Sequence, residues 1–310
     1  MKILVTGGSG YKGSVLVPKL LLDGHTVTVV DIMWFGNFLK PDPRLTVIQS
    51  DVRNMQDEWF QGVDAIIHLA SVANDPCCEL SPKLTWEIST LATMQLADRA
   101  IRHGVKQIIY ASSGSVYGVS DEPRVTEETP LNPISEYNKA KMVAERVLLS
   151  YENDILVHIV RPATVCGYSP RMRLDVSVNM LTMQALTKKR ITVFGGNQTR
   201  PNIHIDDITD LYIFLLDHTI PGVFNAGFEN LSILEIANMV VEKVPAEIIV
   251  SESNDPRSYR VDSSKLLKTG FKPKKSVKHA IHELIDYFKE GHLADEDRFY
   301  NIRTMKELVA

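Results

Sequence analysis

The sequence predicts an α/β fold built on a doubly wound parallel sheet, and its first thirty-one residues give the clearest indication. Two short apolar segments, residues 2–6 and 26–30, are typical of buried strands. Between them come three glycines at three-residue spacing and the apolar face of a helix: Gly7, Gly10, Gly13, Val15, Leu16, Leu20 and Leu21. Strand, turn, helix and strand in this order form the crossover unit from which parallel sheets are built.

The glycine turn has the composition of a phosphate-binding site. One glycine turns the backbone sharply, a second lets a pyrophosphate approach the main chain, and a third lets the helix pack closely on the strand. The helix N-terminus adds N–H groups and a partial positive charge. Asp31 follows the second strand, where its carboxylate can bind the adenosine ribose and repel a 2′-phosphate, so NAD is favoured over NADP. A simple packing turn is the alternative, but the surrounding elements favour a dinucleotide site.

Length and composition narrow the class of protein. The 310 residues suffice for one two-lobed unit or two modest domains. A formal net charge of −4, without lysine or arginine blocks, gives no footprint for nucleic acid or an anionic membrane. No apolar run approaches the roughly 20 residues that cross a bilayer, and the first residues already resemble a strand rather than a signal peptide. Three cysteines, two of them adjacent, fit neither a disulfide framework nor a metal site. We therefore expect a cytoplasmic protein without metal.

The rest of the chain extends the same alternation. Strand patterns occur at residues 45–48, 63–68, 107–111 and 155–160, and helix patterns at residues 82–103 and 136–151. Later elements are helices from about Leu174, Asp206, Ser232 and Ser276, strands near Thr192, Val223 and Ile248, a loop that ends in residues 199–204, and a charged terminus that fits a surface helix or a frayed tail. We expect residues 1–166 to form a Rossmann-like NAD-binding domain and residues 167–310 to form mainly a smaller C-terminal substrate-binding lobe. Residues from about 203 to 227 are expected to return to the first domain.

Tyr137 and Lys141 are the strongest candidates for chemistry. They lie one helical turn apart, so their side chains share a face. A lysine ammonium and an oxidised nicotinamide both favour the phenolate, which lowers the tyrosine pKa from about 10 toward working pH. Tyr137 can then act as a general base on a substrate hydroxyl while the adjoining carbon gives hydride to NAD. Ser113, after the strand at residues 107–111, can hydrogen-bond the same oxygen.

Other polar positions have two interpretations each. Asp51, followed by Val52, can bind an adenine amino group or can cap the short helix after it. His68 can be catalytic, but a histidine on a buried strand is more often a core residue. Cys166 can be reactive, but a small buried side chain is the better interpretation. Asn74, Asp75 or Glu79 can read sugar hydroxyls or can belong to an ordinary capped loop.

Together these residues resemble the extended short-chain dehydrogenase/reductase family, the nucleotide-sugar epimerases and dehydratases, over essentially the whole chain. The matching segments are TGGSGYKG at 6–13, Asp31, DV at 51–52, HLAS at 68–71, SSGSVYG at 112–118, YNKAK at 137–141, RPATVCG at 161–167, RPNIH at 200–204 and RSYRVDSSK at 257–265. The resemblance implies a catalytic triad of Ser113, Tyr137 and Lys141, with Lys141 also on the nicotinamide ribose. It implies cofactor contacts at Gly7, Gly10, Tyr11, Lys12, Gly13, Asp31, Asp51, Val52, Leu69, Ala70, Ser71, Tyr137 and Lys141.

The resemblance also indicates substrate contacts. Arg200 and Arg257 match positions that grip a substrate diphosphate, although either can instead form a surface ion pair. Residues 169–175 look like a branch acting on nucleotide-linked sugars and heptoses. The implied substrate-binding residues are Asn74, Ser113, Thr164, Arg171, Arg173, Asn179, Arg200 and Arg257.

Departures from the family pattern bear on the reaction. Sugar 4,6-dehydratases typically have Asp and Glu after the catalytic Ser or Thr, whereas this chain has Gly114 and Ser115, so 4,6-dehydration is disfavoured. Lys12 replaces a usual apolar residue, and its side chain can reach solvent or add charge near the pyrophosphate.

We expect an NAD-dependent nucleotide-sugar epimerase that acts by transient oxidation at sugar C4. The nearest alternative is a C4 dehydrogenase or keto-sugar reductase on a nucleotide-linked sugar or heptose. A non-catalytic dinucleotide-sensing protein is the other, and the presence of Tyr137 and Lys141 speaks against it. The family resemblance implies a homodimer formed by the helices that begin near Pro82 and Ser135.

Overall fold

The computed structural model describes residues 1–120, 122–252 and 258–309. The strands are β1 (Lys2–Thr6), β2 (Thr26–Asp31), β3 (Leu45–Gln49), β4 (Ala65–His68), β5 (Gln107–Ala111), β6 (Leu156–Pro162), β7 (Thr164–Cys166), β8 (Arg190–Phe194), β9 (Thr199–His204), β10 (Gly222–Ala226), β11 (Glu229–Ser232) and β12 (Glu247–Ser251). The helices are α1 (Gly13–Leu22), α2 (Asp75–Leu80), α3 (Pro82–Trp86), α4 (Ala92–Arg102), α5 (Glu136–Leu149), α6 (Ser177–Lys188), α7 (Ile205–Leu216), α8 (Ile233–Val241), α9 (Ser264–Lys268), α10 (Val277–Lys289) and α11 (Asn301–Val309).

A parallel sheet with strand order β10-β6-β5-β4-β1-β2-β3 forms the centre of the protein. Its central strands are buried on both faces, as in Ile3, Leu4 and Val5, because helices cover both sides. One face packs against α1 and α7, and the other packs against α4 and α5. The predicted doubly wound Rossmann-like α/β fold is therefore confirmed. The strand order changes direction between β1 and β4, which places a ligand crevice at the carboxyl ends of those strands.

Two small sheets lie outside the central one, with strand orders β11-β9-β7 and β12-β8. A core of their own, which includes Ile191, Ile236 and Ile281, joins them to α6, α8 and α10. Helix α8 begins with a full capping box between Ser232 and Glu235, at the point where the sequence predicts a helix start. Strand β10, although late in the chain, pairs with β6 in the central sheet.

The structure corrects several element predictions. Residues 199–204, predicted as the end of a loop, form β9, because pairing with β7 and β11 outweighs the poor strand propensity of Pro201 and Asn202. Helix α6 begins at Ser177 rather than near Leu174. The helix predicted over residues 82–103 consists of α3 and α4 joined by a π-helical turn at Glu87–Leu91.

The charged terminus forms a docked helix rather than a frayed tail. Met305 of α11 is 2% exposed and packs into the same core cluster as α4 and α5. Among the described residues, no helix combines the length and apolar character that crossing a membrane requires.

Candidate functional site

A cavity of about 460 Å³ opens at the carboxyl ends of β1 and β4. Most of the predicted site residues line this one cavity: Gly7, Gly10, Tyr11, Lys12, Gly13, Asp31, Asp51, Val52, Leu69, Ala70, Ser71, Asn74, Ser113, Tyr137, Lys141, Thr164, Arg171, Arg173 and Arg200. Residues from Gly7 near the start of the sequence to Asn301 near its end therefore line a single cleft. Arg257 lies outside the described residues.

The glycine turn fits closely against the neighbouring strand. Gly7 has a φ of +74°, and a Cβ there would lie 2.6 Å from the backbone N of Ala70. A Cβ on Gly13 would lie 2.3 Å from the Gly8 carbonyl oxygen. Within the described residues, no acceptor bonds the backbone N–H of Tyr11 or Lys12. The turn therefore requires glycine and leaves backbone donors for phosphate oxygens, so it fits the pyrophosphate of a dinucleotide.

Asp31 is the last residue of β2 and lies beside the glycine turn. Its Oδ2 accepts from the Ser9 backbone N–H at 2.9 Å, and its Oδ1 accepts from the Met33 N–H at 2.7 Å. Burial raises the pKa of Asp31, while those two hydrogen bonds and the charge of Arg171 lower it. The fixed carboxylate suits ribose hydroxyl donors. Both interpretations of Asp51 fit the structure. Its side chain lines the cavity, and its Oδ1 accepts from the Arg53 N–H at 2.8 Å and so caps the short helix after it.

The three predicted catalytic residues meet at the other end of the cavity. Ser113 follows β5, and its Oγ lies 2.7 Å from the Ser115 Oγ. Tyr137 lies in the first turn of α5, close enough to Ser113 for that hydroxyl to lower the pKa of Tyr137. Lys141 is 2% exposed, and its Nζ donates to the Ala111 carbonyl at 2.7 Å.

The sequence predicts that Lys141 lowers the pKa of Tyr137, but in the structure other groups have this effect. Burial raises the pKa of Tyr137, whereas the Ser113 hydroxyl and the Arg173 guanidinium lower it. Burial, followed by the charge of the nearby Lys12, lowers the pKa of Lys141 to about 7. Arg173 thus supplies a cation that acts on the phenol, in addition to any positive charge on a bound nicotinamide.

Lys12 points into the cleft and not into open solvent. Its Nζ donates to the buried Tyr212 hydroxyl at 3.3 Å and lies 5.7 Å from the centre of that ring. Burial, followed by the charge of Arg173, lowers the pKa of Lys12 to about 8. Lys12, Lys141 and Arg173 therefore bring three basic groups to the cleft, where they can attract an anionic ligand.

The two arginines of segment 169–175 act in different parts of the cleft. Arg173 Nε donates to Asp175 Oδ1 at 2.9 Å, and its charge acts on Tyr137 and Tyr11. Arg171 instead packs on the ring of Phe35, and its charge acts on Asp31. The segment thus spans both ends of the cavity.

Other predicted substrate residues have structural contacts. Asn74 caps α2 with its Oδ1, and its Nδ2 donates to Asp175 Oδ2 at 2.9 Å. Asn179 is fully buried behind the cavity wall, where its Nδ2 donates to the Tyr11 hydroxyl at 3.0 Å and to the Arg173 carbonyl at 2.9 Å. Asn179 therefore positions residues of the wall instead of lining it.

The alternatives for His68 and Cys166 resolve in favour of the core. His68 is fully buried, and its two ring nitrogens contact the hydroxyls of Thr6 at 2.5 Å and Thr93 at 2.9 Å. Cys166 is fully buried, and burial raises the pKa of its thiol. Neither side chain lines the cavity described above.

Sequence reasoning missed several residues that build the site. Phe35, Tyr259 and Asn301 line the cavity, and Glu145 lies behind it. A signal existed for Glu145, because it lies four residues after Lys141 and eight after Tyr137, on the same helix face. Nothing local distinguished Asn301 within the charged terminus.

Residues 3–227 match the protein family described as the NAD dependent epimerase/dehydratase family. UDP-glucose 4-epimerase from Lactobacillus helveticus is 28% identical over 322 residues, which cover 92% of this chain and 94% of that protein. UDP-glucuronic acid decarboxylase 1 from Danio rerio is 29% identical over 306 residues, which cover 93% of this chain and 72% of that protein. The solved structure of UDP-glucuronic acid 4-epimerase from Bacillus cereus, in complex with UDP-glucuronic acid and NAD, matches with a TM-score of 0.83 at 27% identity, covering 94% of this chain and 99% of that one.

Proposed function

Because the chain belongs to the NAD-dependent epimerase/dehydratase family, we propose that it is a nucleotide-sugar epimerase that acts by transient oxidation at C4 of the sugar. The observation that carries this proposal is the meeting of Ser113, Tyr137 and Lys141 at one end of a cavity whose other end holds Asp31. Both relatives named above act on UDP-linked sugars by their names, so we propose a UDP-sugar as substrate.

Each residue has a role in the proposed reaction. Tyr137 removes the proton of the C4 hydroxyl, and the Ser113 hydroxyl donates a hydrogen bond to the same oxygen. Bound NAD supplies a hydride acceptor for the C4 hydrogen and later a donor to the opposite face of the ketone. Tyr137 returns the proton when the ketone is reduced, so the sugar changes configuration without net oxidation. Lys141 would hold the nicotinamide ribose of bound NAD, and the positive charge of Arg173 favours the Tyr137 phenolate.

The residues after Ser113 favour epimerisation over dehydration. Gly114 and Ser115 lack the carboxyl groups that eliminating water would use. A Cβ on Gly114 would lie 3.2 Å from the Pro162 carbonyl oxygen, so an acidic side chain at this position would crowd the backbone. Ser115 Oγ instead donates to Asn138 Oδ1 at 2.7 Å, which fixes the turn.

The direct test is to incubate the purified protein with UDP-glucose, UDP-galactose and UDP-glucuronic acid and to identify the products by NMR. We expect one sugar and its C4 epimer to interconvert, reaching the same ratio from either direction, with NAD needed only in catalytic amounts. The absorbance of NADH should not accumulate. A pentose product with release of CO₂ would instead identify a decarboxylase, and stoichiometric consumption of NAD or NADH would identify a C4 dehydrogenase or a keto-sugar reductase.

Lys12 gives a second prediction within this proposal. Replacing it with methionine removes a partly buried charge beside the proposed pyrophosphate site, so NAD affinity measured by calorimetry at pH 7 should fall about tenfold, as for loss of one charge-assisted hydrogen bond. Because the pKa of Lys12 is about 8, its charge is present below that pH and is lost as the pH rises. The difference between wild type and Lys12→Met should therefore shrink above pH 8.

The matched control for Lys12→Met is Lys83→Met, at a position whose side chain is 88% exposed. It removes the same charge far from the glycine turn and should leave NAD affinity unchanged. Equal affinity of wild type and Lys12→Met for NAD at pH 7 would show that Lys12 takes no part in holding the pyrophosphate.

We propose that residues 1–166 bind NAD and that residues 167–310 mainly bind substrate, with about 203–227 belonging to the first domain. We also propose a homodimer through the helices at residues 82–102 and 136–149, supported by the exposure of Leu91 and Met94 on the first of them. Light scattering, which gives the mass of the assembly in solution, tests the proposed homodimer.

A further inference from the structure

The C-terminal helix α11 and the segment that holds Arg171 form one wall of the cavity. The Leu174 backbone N–H donates to the Phe299 carbonyl at 2.9 Å. The Asn301 backbone N–H donates to Asp175 Oδ2 at 3.3 Å, and the same Asp175 oxygen accepts from Asn74. We call residues 171–175 and 299–305 the C-terminal clasp. It joins the loop after β4, the loop before α6 and the end of the chain.

Arg171 lies in the clasp at the Asp31 end of the cavity. Its guanidinium carbon lies 4.0 Å from the centre of the Phe35 ring, and Phe35 follows Asp31 in the loop after β2. Its Nη2 donates to Asn301 Oδ1 at 2.6 Å, and its Nη1 donates to the Met172 carbonyl at 3.2 Å. These contacts orient the guanidinium plane.

Among the described residues, no carboxylate pairs directly with the Arg171 guanidinium, although the charges of Asp175 and Asp31 act on it from a distance. The side chain is 2% exposed. Its Nε is also buried without a hydrogen-bond acceptor in the described part of the chain. A buried cation is costly unless electron-rich groups surround it, so this arrangement indicates a ligand that supplies them.

We propose that Arg171 and Asn301 are cofactor-binding residues and that the C-terminal clasp encloses the adenosine half of NAD. Asp31 marks the ribose end of the dinucleotide, and Arg171 and Asn301 line the same cavity beside it. Adenine ring nitrogens and ribose oxygens are acceptors that a guanidinium fork and an amide can both serve. Arg171 thereby moves from the substrate-binding set implied by the family resemblance to the cofactor site. The inference rests on NAD dependence and not on the choice of epimerisation.

The test uses full-length Asn301→Ala and Arg171→Met variants, freed of bound nucleotide with charcoal. Calorimetry measures their affinity for NAD, for ADP as the adenosine half, and for UDP as the nucleotide of the proposed substrate. We expect the Kd values for NAD and ADP to rise about tenfold in both variants, as for loss of a hydrogen bond to a charged group. The affinity for UDP should remain that of the wild type. Arg171→Met keeps much of the packing on Phe35, so it tests the same contact if Asn301→Ala fails to fold.

Glu307→Gln is the matched control, because Glu307 lies on the exposed side of α11. It should bind all three nucleotides like the wild type. Unchanged NAD affinity in both clasp variants would overturn the proposal, and so would a selective loss of UDP binding or an equal loss of all three nucleotides. A wild-type protein that binds no NAD at all would instead overturn the proposed function.

Discussion

Replacing Tyr137 with phenylalanine is expected to lower kcat by about 10³-fold, within the range that a positioned general base contributes. The variant keeps the aromatic ring and loses only the hydroxyl that would take the substrate proton. Tyr137 is partly buried in a core cluster, so the ring that remains preserves its packing. NAD binding should therefore stay intact while interconversion of the sugars nearly stops. Product formation followed by NMR, together with calorimetric titration of NAD, separates the two effects.

Tyr151→Phe is the control for this experiment. Tyr151 follows α5 and packs in the same core cluster but does not line the cavity. Its hydroxyl has no part in the proposed reaction, so kcat should stay at the wild-type value. Retained turnover in Tyr137→Phe would assign the base to another residue and would remove the main support for the proposed mechanism.

Glu145→Gln is expected to lower the free energy of unfolding by about 3–5 kcal/mol, the cost of leaving a buried charge without its partner. Arg161 Nη2 lies 2.6 Å from Glu145 Oε2, and the two side chains are 5% and 1% exposed. Glu145 also accepts a hydrogen bond from Ser112, which precedes the proposed catalytic Ser113. The change would leave the Arg161 cation with neutral acceptors alone, namely the remaining amide oxygen at position 145, the Tyr117 hydroxyl at 2.7 Å and the Glu127 carbonyl. Urea denaturation measures the loss.

The double variant Glu145→Leu with Arg161→Met is the informative comparison for Glu145→Gln. It removes both charges and fills similar volume with apolar groups, which often restores stability at buried ion pairs. We expect it to be more stable than Glu145→Gln. A loss below about 1 kcal/mol in Glu145→Gln would mean that solvent reaches the pair, as it does for surface ion pairs.

Local patterns predicted the fold well where a residue's partners lie close in sequence. The glycine turn, the strands of the central sheet and the helix start at Ser232 each have a local physical cause, namely backbone freedom, buried apolar faces and a capping box. Local patterns did not predict β9. Its stability comes from pairing with β7 and β11 on either side, while its Pro201 and Asn202 are typical of a loop.

The same limit applies to the site. Ser113, Tyr137 and Lys141 could be predicted because their spacing and their place after a strand carry the signal. Arg171 and Arg173 look alike in sequence, yet one lies against Phe35 and the other beside Asp175. Asn301 is 130 positions from Arg171, and no local pattern can show that they touch. Long-range contacts of this kind depend on the whole fold.

The clasp also has a consequence for the order of folding. It joins Arg171 to Asn301, 130 positions apart, and Asn74 to Asp175, 101 positions apart. Contacts so distant in sequence carry a large loop-closure entropy and form after local ones. The central sheet and its glycine turn can therefore assemble while the adenosine end of the cleft is still open. On the binding mode proposed above, the adenosine half of the site is therefore completed only when α11 docks.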